Sequence, residues 1–363
     1  MVVKEKEQRF TDLNGLSVGT DVYNVNTLKP IDFDEICDYS EEVAKNFKNF
    51  TVINEKNKPR FKIDEEFRVI YKTSKGDIRC ADITDFAFTQ LCTHLNLPAS
   101  YVKKCFENGK EELALANFRA WSNDLEKNLV FKEYQGVIRG VVTESYKSFS
   151  NRRMCETLRN SVDFDRYMPI QANLQPERIT VRFVERESTL IDGDKSPIWN
   201  GFMIQNNDVG GGSLQINDFM YRQWCTNGCV TRLFDGVAFK QSHRGELAGE
   251  GKIVIFSQLF QALYDLREAK VKLMNKSAEK KLEFEEYKNF MERVSANLRL
   301  SEKAESNLTD IIMRYYANNG ENLTEWNVIN GITQFAQGYT LDKRLELESY
   351  AGKLLTASSR GRR

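Results

Sequence analysis

Arg178-Ile-Thr-Val-Arg-Phe-Val-Glu-Arg186 alternates side chains with a period of two, the pattern of a half-buried β-strand. Ile179, Val181 and Phe183 fall on one face; Arg178, Thr180, Arg182, Val184 and Arg186 fall on the other. The first face suits a core. The second carries Arg178, Arg182 and Arg186 four residues apart, about 13 Å along the strand, a spacing that suits alternate phosphates of an extended single strand. Two readings of that face compete. Its arginines either pair with Glu177, Glu185 or Glu187, or bind a polyanion, because like charges along one face are destabilising without a partner.

Neighbouring segments extend the sheet. GFMIQNN (201–207) and SLQIND (213–218) flank Val209-Gly-Gly-Gly-Ser213 and predict two strands joined by a flexible glycine-rich loop. Upstream, FRVIYK (67–72) and DIRCAD (77–82) flank Thr73-Ser-Lys-Gly76 as a hairpin, and LVFKEY (129–134) and VIRGVVT (137–143) flank Gln135-Gly136 as a second strand pair. Thr84 caps a predicted helix bearing Phe86, Leu91, Cys92 and Leu95, ended by Leu97-Pro98. A short helix starts at Ser100, and another near Arg152 buries Met154, Leu158 and Val162. Beyond 250 the period changes to 3.6. Phe256, Leu259, Phe260, Leu263, Leu266 and Leu273 form one helical stripe; Leu282, Phe284, Tyr287, Phe290, Met291, Val294 and Leu298 form another, with Lys and Glu on the opposite faces.

The expected fold class is therefore α+β, an antiparallel-rich mixed core with a C-terminal helical subdomain. The expected divisions are an acidic, partly irregular lead-in (1–66) with one short helix near 33–47, the core (67–250), the helical subdomain (251–355) and a basic tail (356–363). Near the C-terminus, Thr324 is a reasonable N-cap for a helix over 324–337. Asn330, Thr333, Gln334 and Gln337 would line its polar stripe, either plainly solvated or in contact with the core's ligand groove or a second subunit, with Val328, Ile332 and Phe335 on its buried side and Trp326 as its anchor.

Across 363 residues, 52 Lys+Arg balance 52 Asp+Glu, with 41% hydrophobic content. The chain is long enough for two domains or one large one, and the balanced charge excludes wholesale polyanion coating, so any nucleic-acid surface is local. No stretch approaches the roughly 18 consecutive apolar residues that span a bilayer, and the start MVVKEKEQRF lacks the apolar centre of a secretory signal. A soluble protein without membrane contact, in the cytoplasm of a bacterial host cell, is expected. The seven cysteines are odd in number and scattered, which predicts reduced thiols.

A second candidate cluster interleaves aromatics with cations: Tyr146, Lys147, Phe149, Arg152 and Arg153. Aromatic faces stack bases while cations hold phosphates, and a helix starting near Arg152 adds backbone N–H groups to an anion site. The alternative places Tyr146 and Phe149 in the core. Residues 139–186, beginning with Arg139, hold nine Lys+Arg against six Asp+Glu, so this stretch is locally positive. The glycine run 210–212 lacks the Gly-Lys-Ser/Thr ending of a phosphate loop. Cys225, Cys229 and His243 fall short of the four ligands of a closed zinc site, so neither a metal nor a cofactor is expected. His94 falls on the helix after Thr84 and reads as structural or partly exposed; His243 reads as a polar handle beside Arg244. Asp192-Gly-Asp194 admits a metal-dependent nuclease, but a surface turn explains it more simply.

Four segments, in order, resemble a family of uncharacterised phage and plasmid proteins, domain of unknown function 932. They are VVTESYKSFSN (141–151), IQNNDVGGGSLQINDFMYRQWCTNGCV (204–230), His243-Arg-Gly245 and WNVINGITQFAQ (326–337). The most recognisable stretch supplies Asn206, Asn207, Gly210, Tyr221, Arg222, Cys225, Asn227 and Gly228. The chain departs from the family pattern at Cys229, where an aliphatic residue is usual, and at Gln337, where a histidine is common, which argues against a metal role for either. The resemblance implies a phage or plasmid setting and DNA recombination, replication or defence evasion. With the charged segments it gives the expected function, a non-enzymatic single-stranded-DNA-binding protein of strand-annealing type, with self-association left open. The alternatives are a non-enzymatic phage or plasmid protein that binds a host or viral protein, and the nuclease. The expected nucleic-acid residues are Arg139, Tyr146, Lys147, Phe149, Arg152, Arg153, Arg178, Arg182, Arg186, Arg222, His243 and Arg244.

Overall fold

The computed structural model describes residues 30–54, 60–191, 194–222, 227–229, 239–241, 251–319 and 322–359. The Asp32 carboxylate caps α1 (Phe33–Asn46), which runs directly into β1 (Phe47–Val52). A first sheet follows from β1, β2 (Phe61–Ile63), β3 (Val69–Lys72), β4 (Ile78–Ile83), β5 (Leu129–Tyr134) and β6 (Val137–Thr143), in the order β1-β5-β6-β4-β3-β2. The β5–β6 turn places Gln135 and Gly136 both at positive φ, 51° and 80°, the geometry of a primed hairpin turn. Between the two hairpins, Thr84 caps α2 (Asp85–His94), followed by α3 (Ala99–Glu107) and α4 (Glu111–Asn123). Their buried Phe88, Leu91, Val102 and Phe118 pack with Phe61, Tyr71 and Phe131 of the sheet. The stretch up to 66, expected to be partly irregular, thus supplies a helix and two strands of this sheet, and α4 was not foreseen.

The second sheet contains β7 (Tyr167–Leu174), β8 (Arg178–Glu185), β9 (Thr189–Ile191), β10 (Asp194–Asn207), β11 (Leu214–Arg222), β12 (Asn227–Cys229) and β13 (Phe239–Gln241). Its path is β12-β11-β10-β8-β7, with β13 on β11 and β9 on β10, and every described pairing is antiparallel. α1, α5 (Asn151–Ser161) and α6 (Gly251–Asp265) cover one face, burying Ile36, Met154, Leu158, Phe256 and Phe260 against Val181, Phe183, Phe202 and Ile204. Phe202 stacks on Phe183 at 4.8 Å and on Phe260 at 4.3 Å, each pair contributing about 0.5–1.5 kcal/mol beyond its burial. Although α6 follows the change of period at 250, it belongs to this sheet's core.

The remaining helices are α7 (Arg267–Glu279), α8 (Phe284–Leu298), α9 (Glu302–Asn319), α10 (Glu325–Ala336) and α11 (Leu341–Ser359). They share a core of Met291, Val294, Ile312, Trp326, Ile332, Leu347 and Leu355. Thr324 caps α10, and Val328, Ile332 and Phe335 are buried, as the spacing predicts. The polar stripe is solvated only in part: Gln334 is exposed and Gln337 half-buried, but Asn330 and Thr333 are 4% and 2% exposed, because α11 and α9 flank α10. Asn330 Nδ2 donates to the Trp326 carbonyl at 2.9 Å, and the Thr333 hydroxyl donates to the Asn330 carbonyl at 2.9 Å, so both polar groups are satisfied within the helix. Among the described residues no helix is long and apolar enough to cross a membrane. The architecture is α+β, two mostly antiparallel sheets with C-terminal helices that pack against the second sheet.

Candidate nucleic-acid interface

The polar face of β8 is covered by α11. Arg182 is 3% exposed, and its Nη2 donates to Glu348 Oε2 at 2.6 Å while Nη1 donates to Gln171 Oε1 at 2.9 Å. The Phe219 ring lies 5.0 Å from its guanidinium carbon. Glu348 is fully buried and also accepts from Arg344 Nε at 2.9 Å. Burial pushes the Arg182 guanidinium down to about 10, against the pull of Glu348. Arg178 pairs with Asp342 at 2.6 Å. Arg186 is exposed, with Nε donating to the Phe164 carbonyl at 3.0 Å. The expectation of three arginines on one solvent-accessible face is therefore corrected at Arg182. The period-two pattern is real, but the carboxylates that answer it come from a helix more than 150 residues away in the chain.

The second cluster is a junction between the two sheets. Lys132, on β5, is 5% exposed and donates to the Asp208 carbonyl at 2.6 Å and to Ser148 Oγ at 3.3 Å, with the Tyr146 ring 5.2 Å from Nζ. Burial lowers its pKa, partly offset by the charge of Asp208. The Ser148 hydroxyl donates to one Asp208 oxygen, and the backbone N–H of Asn151 donates to the other at 3.3 Å. Asp208 thus supplies the anion expected at the start of α5, and the chain's own carboxylate takes the place foreseen for a phosphate. The Tyr146 hydroxyl donates to the Asn207 carbonyl at 3.2 Å and accepts from Gly210 N–H at 3.1 Å; burial and the Asp208 charge raise its pKa. Asn206 Nδ2 donates to the Phe149 carbonyl at 2.7 Å and to Asn151 Oδ1 at 2.9 Å.

The glycine loop closes on the protein itself. Asn207 Oδ1 accepts from Val209 N–H at 3.0 Å and Gly211 N–H at 2.8 Å, while Gln90 donates to the Val209 carbonyl at 2.9 Å and accepts from Val141 N–H at 2.9 Å. Gly210 holds φ +84°, a conformation that favours glycine. Residues of 146–151 and 206–210 therefore meet here. Phe149 is fully buried in the second sheet's core, which corrects its expected role as a stacking face. Arg153 lies over its ring at 5.7 Å, Arg152 pairs with Glu156 at 2.9 Å, Arg139 pairs with Glu177 at 3.3 Å, and Lys147 is exposed. Arg222 ends β11 opposite Ile198, and Gly228 lies in β12 opposite Tyr221. His243 and Arg244 lie outside the described residues, as do Cys225 and Asp192. His94 is half-buried, with Nε2 3.3 Å from the Val141 carbonyl, a structural position.

No family model, curated protein or solved structure matches the chain. The functional reading therefore rests on geometry.

A different surface carries cations that the fold leaves open. A groove of about 730 Å³ runs between α4 and the edge of the first sheet, lined by Arg60, Lys62, Arg68 and Lys72 on and beside β2 and β3 and by Arg119 from α4, with Asp64, Glu65 and Glu66 of the β2–β3 connection also on its wall. Arg68 is held by Asp64 at 2.9 Å and Glu66 at 3.0 Å. Lys62, Lys72 and Arg119 are exposed, and none has an ion-pair partner among the described residues. Ile70, Ile78 and Leu115 add apolar surface, and Ile78 is 76% exposed. The fold places these residues by simple rules. Lys62, Ile70 and Cys80 stand in register across β2, β3 and β4 on the face opposite the buried Phe61, Val69, Tyr71 and Ala81. β2 ends the sheet, and its short length and exposed lysine suit an edge strand. The sequence carried a signal for this groove in Lys56-Asn-Lys-Pro-Arg-Phe-Lys62, four cations in seven residues, which an overall acidic count across 1–66 conceals.

Proposed function

We propose that the protein binds single-stranded nucleic acid, without catalysis, along the groove between α4 and β2–β3. The observation that carries this reading is the convergence of Lys62, Lys72 and Arg119 on one groove without in-chain carboxylate partners. A phosphate backbone is the complementary ligand, because each phosphate neutralised releases counterions, while Ile70, Ile78 and Leu115 offer apolar contact to the bases. Arg182 serves the interior, and Arg178 is taken up by Asp342. The phage or plasmid setting and the annealing role implied by the family resemblance are part of the same proposal.

Fluorescence anisotropy with a labelled oligothymidine, titrated at several salt concentrations, tests it. The double variant K62E/K72E should weaken binding at least tenfold and flatten the dependence on salt, with circular dichroism unchanged. Equal affinity for wild type and variant would refute the groove assignment. One observation favours the protein-binding alternative: the outer side of α4 presents Leu113 at 51% and Trp121 at 45% exposure beside exposed Ala116 and Ala120, an apolar stripe of the kind that partner helices cover.

A further inference from the structure

We propose that the cavity between α11 and the polar face of β7 and β8 is a site for a single halide ion. Strand register sets Gln171 opposite Arg182 and Asn173 opposite Thr180, and the period of two puts all four on the face that α11 covers. These side chains, with Leu341 and Arg344 of α11, line a cavity of about 10 Å³, space on the scale of one water molecule. A monatomic anion fits that space; a phosphate is too large. Buried polar atoms are normally hydrogen-bonded, yet Thr180 Oγ1 and Asn173 Oδ1 are buried without a partner among the described residues. Thr180 is 3% exposed, so bulk water does not serve it. The cavity wall therefore holds polar groups that await an occupant.

Charge decides what kind of occupant is complementary. Arg182 and Arg344 are both buried and share one carboxylate, Glu348, which leaves an excess of one positive charge in the seam. Asp342 does not cancel it, because that carboxylate is largely exposed and holds Arg178. Arg344 gives only Nε to Glu348, and its Nη atoms have no hydrogen-bond or ion-pair partner among the described residues. Gln171 accepts from Arg182 through Oε1 and keeps its amide N–H groups as donors. Leu341 is the first residue of α11, so the positive end of that helix reaches the same wall. The Thr180 hydroxyl can donate into the cavity, and a half-turn of the Asn173 amide presents its N–H groups to the same point. A halide accepts from these donors and neutralises the seam, whereas a water would satisfy the donors alone. Its binding would tie α11 to β8 of the second sheet, whereas the cationic groove belongs to the first.

Thermal unfolding of the full chain in sodium chloride and in sodium gluconate, at equal ionic strength, tests the site, because gluconate is too large to enter it. Chloride should raise the melting temperature saturably, by about 2–4 °C over gluconate. Thr180→Val removes a hydroxyl that has no partner, so in gluconate it should melt no lower than wild type, and it should lose most of the chloride shift. Crystals of the wild-type chain grown in sodium bromide should show an anomalous-scattering peak inside the cavity, a readout that needs no variant. Equal wild-type melting temperatures in the two salts, a chloride shift that survives Thr180→Val, or a cavity without bromide would each overturn the proposal.

Discussion

Glu348→Ala leaves two guanidinium groups in the interior with no carboxylate between them. Wild-type Glu348, fully buried, accepts from Arg182 at 2.6 Å and from Arg344 at 2.9 Å. At the effective dielectric of protein sites, each contact is worth about 4 kcal/mol of gross attraction, most of it offset by the desolvation of the charges. A guanidinium keeps its proton in proteins, so deleting its partner strands a cation rather than removing one. Breaking such a pair costs about 3–5 kcal/mol, which is the expected loss in urea unfolding followed by tryptophan fluorescence. Glu348→Gln, which keeps an acceptor, should lose less. Replacing Arg182, Arg344 and Glu348 together with Met or Leu should be neutral or even stabilising, by up to about 4 kcal/mol. A loss below about 1 kcal/mol in Glu348→Ala, the range of a surface pair such as Arg152–Glu156, would refute the buried-seam account and restore β8 as a candidate binding face.

Gly201→Ala sets a Cβ 1.9 Å from the Phe183 carbonyl oxygen and 2.7 Å from Val184 Cα, backbone atoms that cannot swing aside, and should cost about 3 kcal/mol, read as a lower melting temperature. Asn330→Ala removes a buried hydrogen bond to the Trp326 carbonyl and should destabilise by about 1–3 kcal/mol in chemical denaturation; a neutral result would mean the residue is solvated. His94 is held below its ordinary 6.5 by burial, against the Val141 carbonyl. A depressed imidazole means that the unfolded chain takes up the proton first, so its stabilising contribution is complete above 6.5 and is lost as pH falls through the folded-state value. His94→Gln should therefore flatten the decline in stability between about pH 7 and 5, and an unchanged slope counts against the assignment.

Local patterns were legible wherever one element's own residues decided the outcome. The alternation at 178–186, the Gln135-Gly136 turn, the Thr84 and Thr324 caps and the change of period beyond 250 all appear in the structure. Position along the chain did not reveal partners. The same alternation that marked β8 as a strand could not show that Glu348 and Asp342 would arrive from α11 to neutralise its arginines. Nor could the aromatic–cation cluster show that Asp208 would occupy the start of α5 and leave Phe149 for the core. α4 escaped notice because Leu113, Ala116, Ala120 and Trp121 are apolar on its exposed side, which blurs the amphipathic stripe of a surface helix. Asn330 and Thr333 follow a polar helical spacing yet lie inside, since each satisfies its own hydrogen bond within α10.

Photocross-linking of a 5-iodouracil-substituted single strand to the wild-type chain, mapped by mass spectrometry, tests the central claim most directly. The account predicts cross-links within the strands that line the groove, 60–72, and on α4 over 115–123, suppressed by raised salt. Cross-links concentrated at 147–153 or around 178–186, or none at any salt concentration, would contradict it.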